Sequence, residues 1–261
     1  MASNSGKNER QQRAEQMRKE RERAEKRRRN GITLGIMAIV VVLVAVAAFA
    51  IVNEVGKSND PAAQPKNTTD DYGIVYDQAA SGSEPSAGAA EPVNVTIYED
   101  FQCPVCQAFQ EANGDFLDQQ VASGAIEIEY RPIAFLNNAS STQYSTRSAN
   151  TAACVVDTAG AKGFHELQKI LYTNQPAEGG AGLTDDQLAD YARQAGGLET
   201  ESCIKDGTYE KWTEEATEAS RDNDVQGTPT VLVDGKVTNG AQGGVPTAED
   251  LQKAITAAQG S

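Results

Sequence analysis

The chain has 261 residues, 39% apolar and 23% charged, with a formal net charge of −14 at pH 7. That length permits one sizeable domain with appendages, or at most two small ones. An acidic balance of this size argues against nucleic acid as a partner.

The charge is not evenly spread. Residues 1–30 hold eleven Lys/Arg against five Glu, whereas the remainder holds 12 Lys/Arg against 32 Asp/Glu. The basic stretch reads as a cytoplasmic tail, a solvated helix or disordered segment that ends in Lys26-Arg27-Arg28-Arg29. Ile32 to Val52 then contains no charge. As a helix it is about 31 Å long, which matches a bilayer core of about 30 Å and places a transmembrane helix at 31–53. Basic residues flanking a first span stay in the cytoplasm, so the bulk of the chain is expected outside the cell membrane. Ala48-Phe49-Ala50 has the small-x-small pattern of a signal-peptidase site. The long basic region and long apolar run favour a retained signal-anchor instead.

Residues 54–91 are rich in Ser, Ala, Gly, Pro and Asp, the composition of a flexible linker. The folded domain is expected to span 92–261. Val93 to Tyr98 alternates with β-branched residues and reads as a strand. It leads into Glu99-Asp100-Phe101-Gln102-Cys103, which puts Cys103 at a strand-to-helix turn. Pro104 suits the first turn of a helix, on which Val105, Phe109, Ala112 and Phe116 recur at helical spacing. A second strand is predicted at 125–132. Helices follow at 142–160, 163–174, 184–197, 199–206 and 209–225, with Thr184 to Gln187 as a capping box. Strands return at 229–233 and 236–237 across Asp234-Gly235, a strong hairpin signal, and a helix at about 247–258 closes the domain. Strand and helix, a helical insertion at about 140–225, then a hairpin and helix is an α/β order with a mixed sheet.

Four cysteines, 103, 106, 154 and 203, all lie beyond the apolar segment, and an even count in an exported chain suggests disulfides. Cys103-Pro104-Val105-Cys106 at a helix start can close a small disulfide ring. The positive end of the helix dipole favours a thiolate at Cys103, with Cys106, one turn in, as the resolving thiol. Zinc uses the same spacing but needs a second Cys/His pair, and the only histidine is His165, which reads as a surface or capping residue. No metal and no cofactor is expected. Cys154 and Cys203 fall on different predicted helices. Their context favours a structural disulfide, with a second redox couple as the alternative.

Gly227-Thr228-Pro229-Thr230, followed by Val231-Leu232-Val233-Asp234-Gly235, completes an ordered set with the upstream strand and Cys-Pro-Val-Cys. Taken together, these residues resemble the thioredoxin-fold superfamily, and in particular the DsbA-like thiol–disulfide oxidoreductases of bacteria, over about residues 92–259. The resemblance implies a thioredoxin-like fold with a helical insertion and a cis Pro229 facing Cys103 and Cys106. It also implies that the Thr228 backbone receives a substrate segment as an added strand. Similar proteins of Gram-positive actinobacteria carry an extra disulfide in the insertion, which agrees with Cys154 and Cys203. This sequence departs from the best-known pattern in having Val105 where a histidine stands, so oxidising strength should fall somewhat. It also has Ile97 where cytoplasmic thioredoxins keep an acid. Glu99 and Asp100 read as strand-end and turn residues.

The implied function is an extracytoplasmic oxidase that passes the Cys103–Cys106 disulfide to reduced exported proteins. Reoxidation would fall to a membrane quinone-linked partner of the vitamin K epoxide reductase or DsbB type. The competing readings are a membrane-tethered reductase or isomerase, and a copper-binding thioredoxin-fold chaperone.

Overall fold

The computed structural model describes residues 62–84, 91–240 and 243–260. The expected basic tail, membrane span and first part of the linker lie outside the described residues. Among the described residues no helix is long and apolar enough to cross a membrane.

A five-stranded mixed sheet organises the chain. Its strands are β1 (Ile74–Tyr76), β2 (Val93–Glu99), β3 (Ile126–Pro132), β4 (Thr230–Val233) and β5 (Lys236–Val237), in the spatial order β1-β3-β2-β4-β5. β2 and β3 run parallel, with Val95 opposite Ile128, and the other three pairings are antiparallel. Alternation along β2 sends Val93, Val95 and Ile97 into the main core. Tyr98, on the other face, meets Ile133 and Val225 in a smaller cluster. The polar residues on that second face, Asn94 and Thr96, are joined to each other, the Thr96 hydroxyl donating to Asn94 Oδ1 at 3.0 Å. The β4–β5 hairpin turns through Asp234 (φ 50°) and Gly235 (φ 71°). Two positive φ values of this kind match the twist of the flanking strands and explain the Asp-Gly pair.

Helix α2 (Pro104–Ala122) follows β2, and α7 (Ala248–Gln259) packs against β2, β4 and α2. The buried face of α2 is Cys106, Phe109, Asn113, Leu117 and Val121 rather than the stripe through Val105 and Phe116 that apolar spacing suggests. Asn113 can occupy the buried row because its amide donates to Phe109 O (3.0 Å) and Pro246 O (3.2 Å). These two bonds satisfy the NH2 group and offset part of the cost of burying the side chain, whose Oδ1 has no partner among the described residues. The helix is thereby rotated, and Val105 is left 47% exposed.

Between β3 and β4 lies the helical insertion: α3 (Tyr144–Thr173), α4 (Asp185–Gln194), α5 (Glu201–Lys205) and α6 (Glu210–Asp222). Two helices expected at 142–160 and 163–174 form one span interrupted at Gly160, whose φ of 67° and ψ of −170° break the helical path. Only a residue without Cβ enters that region readily. α4 begins with the reciprocal Thr184–Gln187 capping box. Cys154 on α3 and Cys203 on α5 are joined by a disulfide, with Cα atoms 6.0 Å apart. Trp212 on α6 is buried, its ring tilted against Tyr72.

Much of the segment read as linker is ordered against the domain. Ile74 and Tyr76 are buried as β1 pairs with β3, and α1 (Gln78–Ser81) is capped by the Asp77 carboxylate. Upstream, Asn67 donates to Val156 O and the Lys66 backbone N–H to Asp157. Three alternating residues, Ile74-Val75-Tyr76, are too short a run to stand out from a Ser/Ala/Gly-rich background. They become a strand only because β3 offers a free edge.

The Cys154–Cys203 bond closes a loop over a sequence separation of 49. In the chain-entropy treatment such a loop stabilises the fold by about 4 kcal/mol. A Cys154→Ala/Cys203→Ala double variant is expected to lose about that much in urea unfolding, with Cys103 and Cys106 still present.

Candidate active site

The turn between β2 and α2 is built around a wholly buried carboxylate. Asp100 Oδ1 accepts from the Gln102 N–H (2.9 Å) and the Ser145 hydroxyl (2.7 Å), and Oδ2 accepts from the Leu136 N–H (2.9 Å). Burial raises its pKa while these hydrogen bonds oppose the rise. The same turn is held from another side by Gln175, whose amide donates to Phe101 O and Cys103 O, both at 3.0 Å. Gln102 reaches Leu136 O (2.7 Å).

Cys103 is the N-cap of α2, with extended φ/ψ, and Pro104 stands in the first turn. The Cys103 carbonyl accepts from the N–H groups of Cys106 (3.1 Å) and Gln107 (3.2 Å). Both cysteines are free thiols and nearly buried. The loop before β4 comes up against them. Thr228–Pro229 is a cis peptide, and the Cys103 thiol donates to Thr228 O at 3.3 Å, across 125 residues of chain. Cys103, Cys106, Thr228 and Pro229 thus converge, with Pro104 and Val105 between the cysteines, while Cys154 and Cys203 are joined to each other in the insertion.

The two thiols are driven apart in acidity. A hydrogen bond from the Cys106 thiol lowers the Cys103 pKa to about 6, against burial, with help from the Thr228 side chain and from the backbone N–H groups of Cys106 and Val105. Burial pushes Cys106 well above its ordinary value, and the neighbouring Cys103 pushes it further. At neutral pH the favoured species is therefore a thiolate at Cys103 beside a protonated Cys106. A thiolate is both the nucleophile and the good leaving group of disulfide exchange. The dipole of α2 and its first N–H groups supply what the Val105 side chain cannot. A groove of about 590 Å³ opens beside Cys103, lined among others by Phe135, Leu136 and Val225.

Glu99 and Asp100 do stand at the strand end and turn, but both are buried, which sequence spacing did not reveal. The Glu99 carboxylate accepts two bonds from the Gln168 amide (2.9 and 2.8 Å) and one from the Tyr172 hydroxyl (3.1 Å). Burial raises its pKa to about 7, and the Gln168 and Tyr172 bonds only partly offset this. Nothing local marks Glu99 in the sequence, because its partners lie about 70 residues away on α3. His165 is likewise not on the surface. It is 1% exposed, stacked on Tyr76 with centroids 4.0 Å apart, and its Nε2 lies 2.9 Å from Asp118 Oδ1. The unforeseen strand β1 supplies the ring that covers it.

A family model described as thioredoxin matches residues 81–257. Among solved structures, the oxidised form of DsbA from Mycobacterium tuberculosis is 28% identical with a TM-score of 0.59, over 72% of this chain and 93% of that one. MdbA from Actinomyces oris, described as a thiol–disulfide oxidoreductase, shares the fold at 21% identity and a TM-score of 0.57, over 77% and 94%. The serine/threonine-protein kinase PknE of M. tuberculosis is 30% identical over 157 residues. The match covers 57% of this chain, which spans 28% of the kinase's length.

Two titrations follow. The thiolate absorbance of the reduced protein should rise with a midpoint near pH 6, and Cys103→Ser should remove that step. Glu99 titrates near 4.5 when unfolded and near 7 when folded, so folding favours its protonated form. The associated stability is complete below about pH 4.5 and is lost as pH rises through 7, a change of about 3 kcal/mol. Glu99→Gln should therefore gain stability relative to the parent between pH 4.5 and 8 in paired urea titrations. A difference independent of pH would contradict the assignment.

Proposed function

The chain belongs to the thioredoxin family and is a DsbA-like thiol–disulfide oxidoreductase, and from that premise we propose that it introduces disulfides into exported proteins through Cys103 and Cys106. A substrate thiolate attacks Cys103 Sγ, and the Cys103–Cys106 bond breaks as Cys106 departs and takes up a proton. A second substrate thiolate then attacks the substrate sulfur of the mixed disulfide. Cys103 leaves as a thiolate, so the substrate loses two electrons and the protein gains them. The observation that carries this direction is the lowered pKa of Cys103 beside a protonated Cys106. Stabilising the leaving thiolate stabilises the reduced protein and makes its disulfide oxidising.

Thr228 and Pro229 are proposed to receive the substrate backbone, and Cys154–Cys203 to act structurally. The uncharged span at 31–53 and the basic residues before it support a cell-membrane anchor with the 92–261 domain outside. Segment 54–91 then serves as the membrane-proximal connection, its residues 62–84 carrying the strand and contacts that pack on the domain. Tethering would raise the encounter rate with a membrane quinone-linked reoxidase of the vitamin K epoxide reductase or DsbB type, as the family resemblance implies. Nucleic acid is not among the proposed partners.

The test is the reduction potential of the full-length chain equilibrated with glutathione. A value of about −120 to −180 mV is expected for an oxidase, and one near about −270 mV would assign a reductase instead. The potential should fall by about 59 mV per pH unit below pH 6 and by about 30 mV above it, where reduction takes up one proton rather than two. Cys106→Ser should accumulate mixed disulfides with substrate, and Cys103→Ser should form none.

A further inference from the structure

The groove beside Cys103 has an apolar floor and an unusual cation on its wall. Among the described residues there are four arginines. Arg131 pairs with Glu129, Arg147 with Asp185 and Arg193 with Asp190. Arg221, on the last turn of α6, has no carboxylate partner among the described residues. Its guanidinium carbon instead lies 5.2 Å from the centre of the Phe135 ring, and both residues line the groove with Cys103 and Thr228. Residues 31–261 carry 32 acids to 12 bases, so an unpaired arginine is not what chance pairing would leave there.

The surroundings hold this pair in register. The Ala134 N–H donates to Thr217 Oγ1 at 2.9 Å, one turn before Arg221 on the same helix. The next two residues of that segment are held by Asp100, through the N–H groups of Phe135 and Leu136. Stacking on an aromatic face fixes the guanidinium plane and leaves its N–H edge free. That edge has the geometry to take a carboxylate with two parallel hydrogen bonds.

We propose that Arg221 and Phe135 form a subsite for an acidic side chain of the substrate, an Asp or Glu within a few residues of the reacting cysteine. The inference rests on the oxidoreductase reading and adds a substrate preference to it. Glu178 lines the same groove, so the preference is positional rather than one for acidic peptides in general. The plainer account is that Arg221 only complements the C-terminal end of the α6 dipole. That account predicts no dependence on peptide charge.

The experiment uses the oxidised full-length chain and cysteine peptides with Glu or Gln placed two or three residues from the thiol, on either side. Each rate of mixed-disulfide formation is divided by that peptide's rate with a small-molecule disulfide, which removes differences in thiol pKa. One Glu position should react about three- to fivefold faster than its Gln counterpart at low ionic strength, the range of an exposed ion pair, and the advantage should fade with salt. Arg221→Gln should bring the ratio to about one, and Arg221→Glu should invert it. Equal ratios in the parent, or a Glu advantage that survives Arg221→Glu, would overturn the subsite while leaving the oxidoreductase intact. Failure of the parent to react with any peptide would overturn both.

Discussion

Three separate pieces of backbone meet at Asp100: the turn after β2, the segment at 134–136 and the start of α3. Each presents a donor that the regular sheet and helices leave unpaired, and the Asp100 carboxylate takes them all. A buried N–H without a partner costs about as much as a lost hydrogen bond. One acceptor satisfying several of them therefore fixes where the pieces lie. The position of Cys103 follows, since it is three residues from Asp100 and its own N–H donates to the Asp100 carbonyl at 2.9 Å. So does the groove wall, since Leu136 hangs from the same carboxylate.

The site combines costs and compensations of similar size. Both thiols are nearly buried, and burial alone would raise both pKa values. For Cys103 the hydrogen-bond donors aimed at sulfur outweigh burial, while for Cys106 they do not. The asymmetry comes from position: the N-cap faces the free N–H groups of the first turn, and the residue one turn in has its own environment closed by the core. Glu99 works against stability when ionised, held in place by α3 through Gln168 and Tyr172. The insertion that supplies these partners is itself tied together by Cys154–Cys203, and α3 continues into Gln175, which grips the turn at Cys103. The insertion is thus part of the site's support.

Within a few residues, the sequence alone determined much of the architecture. Alternation marks β2 and β3, Asp-Gly marks the β4–β5 hairpin, and the Thr184 box marks α4, because each is local physics: side-chain period, turn sterics and capping. Cys103 and Cys106 were legible as a pair for the same reason, their spacing at a helix start. β1 was not, since its three residues are a strand only by virtue of the β3 edge. The rotation of α2 depends on Asn113 finding Pro246 O, and the burial of His165 depends on Tyr76.

Only the tertiary structure decided which polar side chains matter around the cysteines. Asp100, Glu99 and Gln175 draw their meaning from partners some 35 to 75 residues away, and the approach of Thr228 to Cys103 spans 125. Arg221 reads as an ordinary helix-end cation until Phe135 is placed beneath it. Local pattern encodes which elements form, because their energetics are settled within a turn or a strand pair. Which polar groups are buried together is settled only when distant segments close on one another and exclude the water that would otherwise satisfy them.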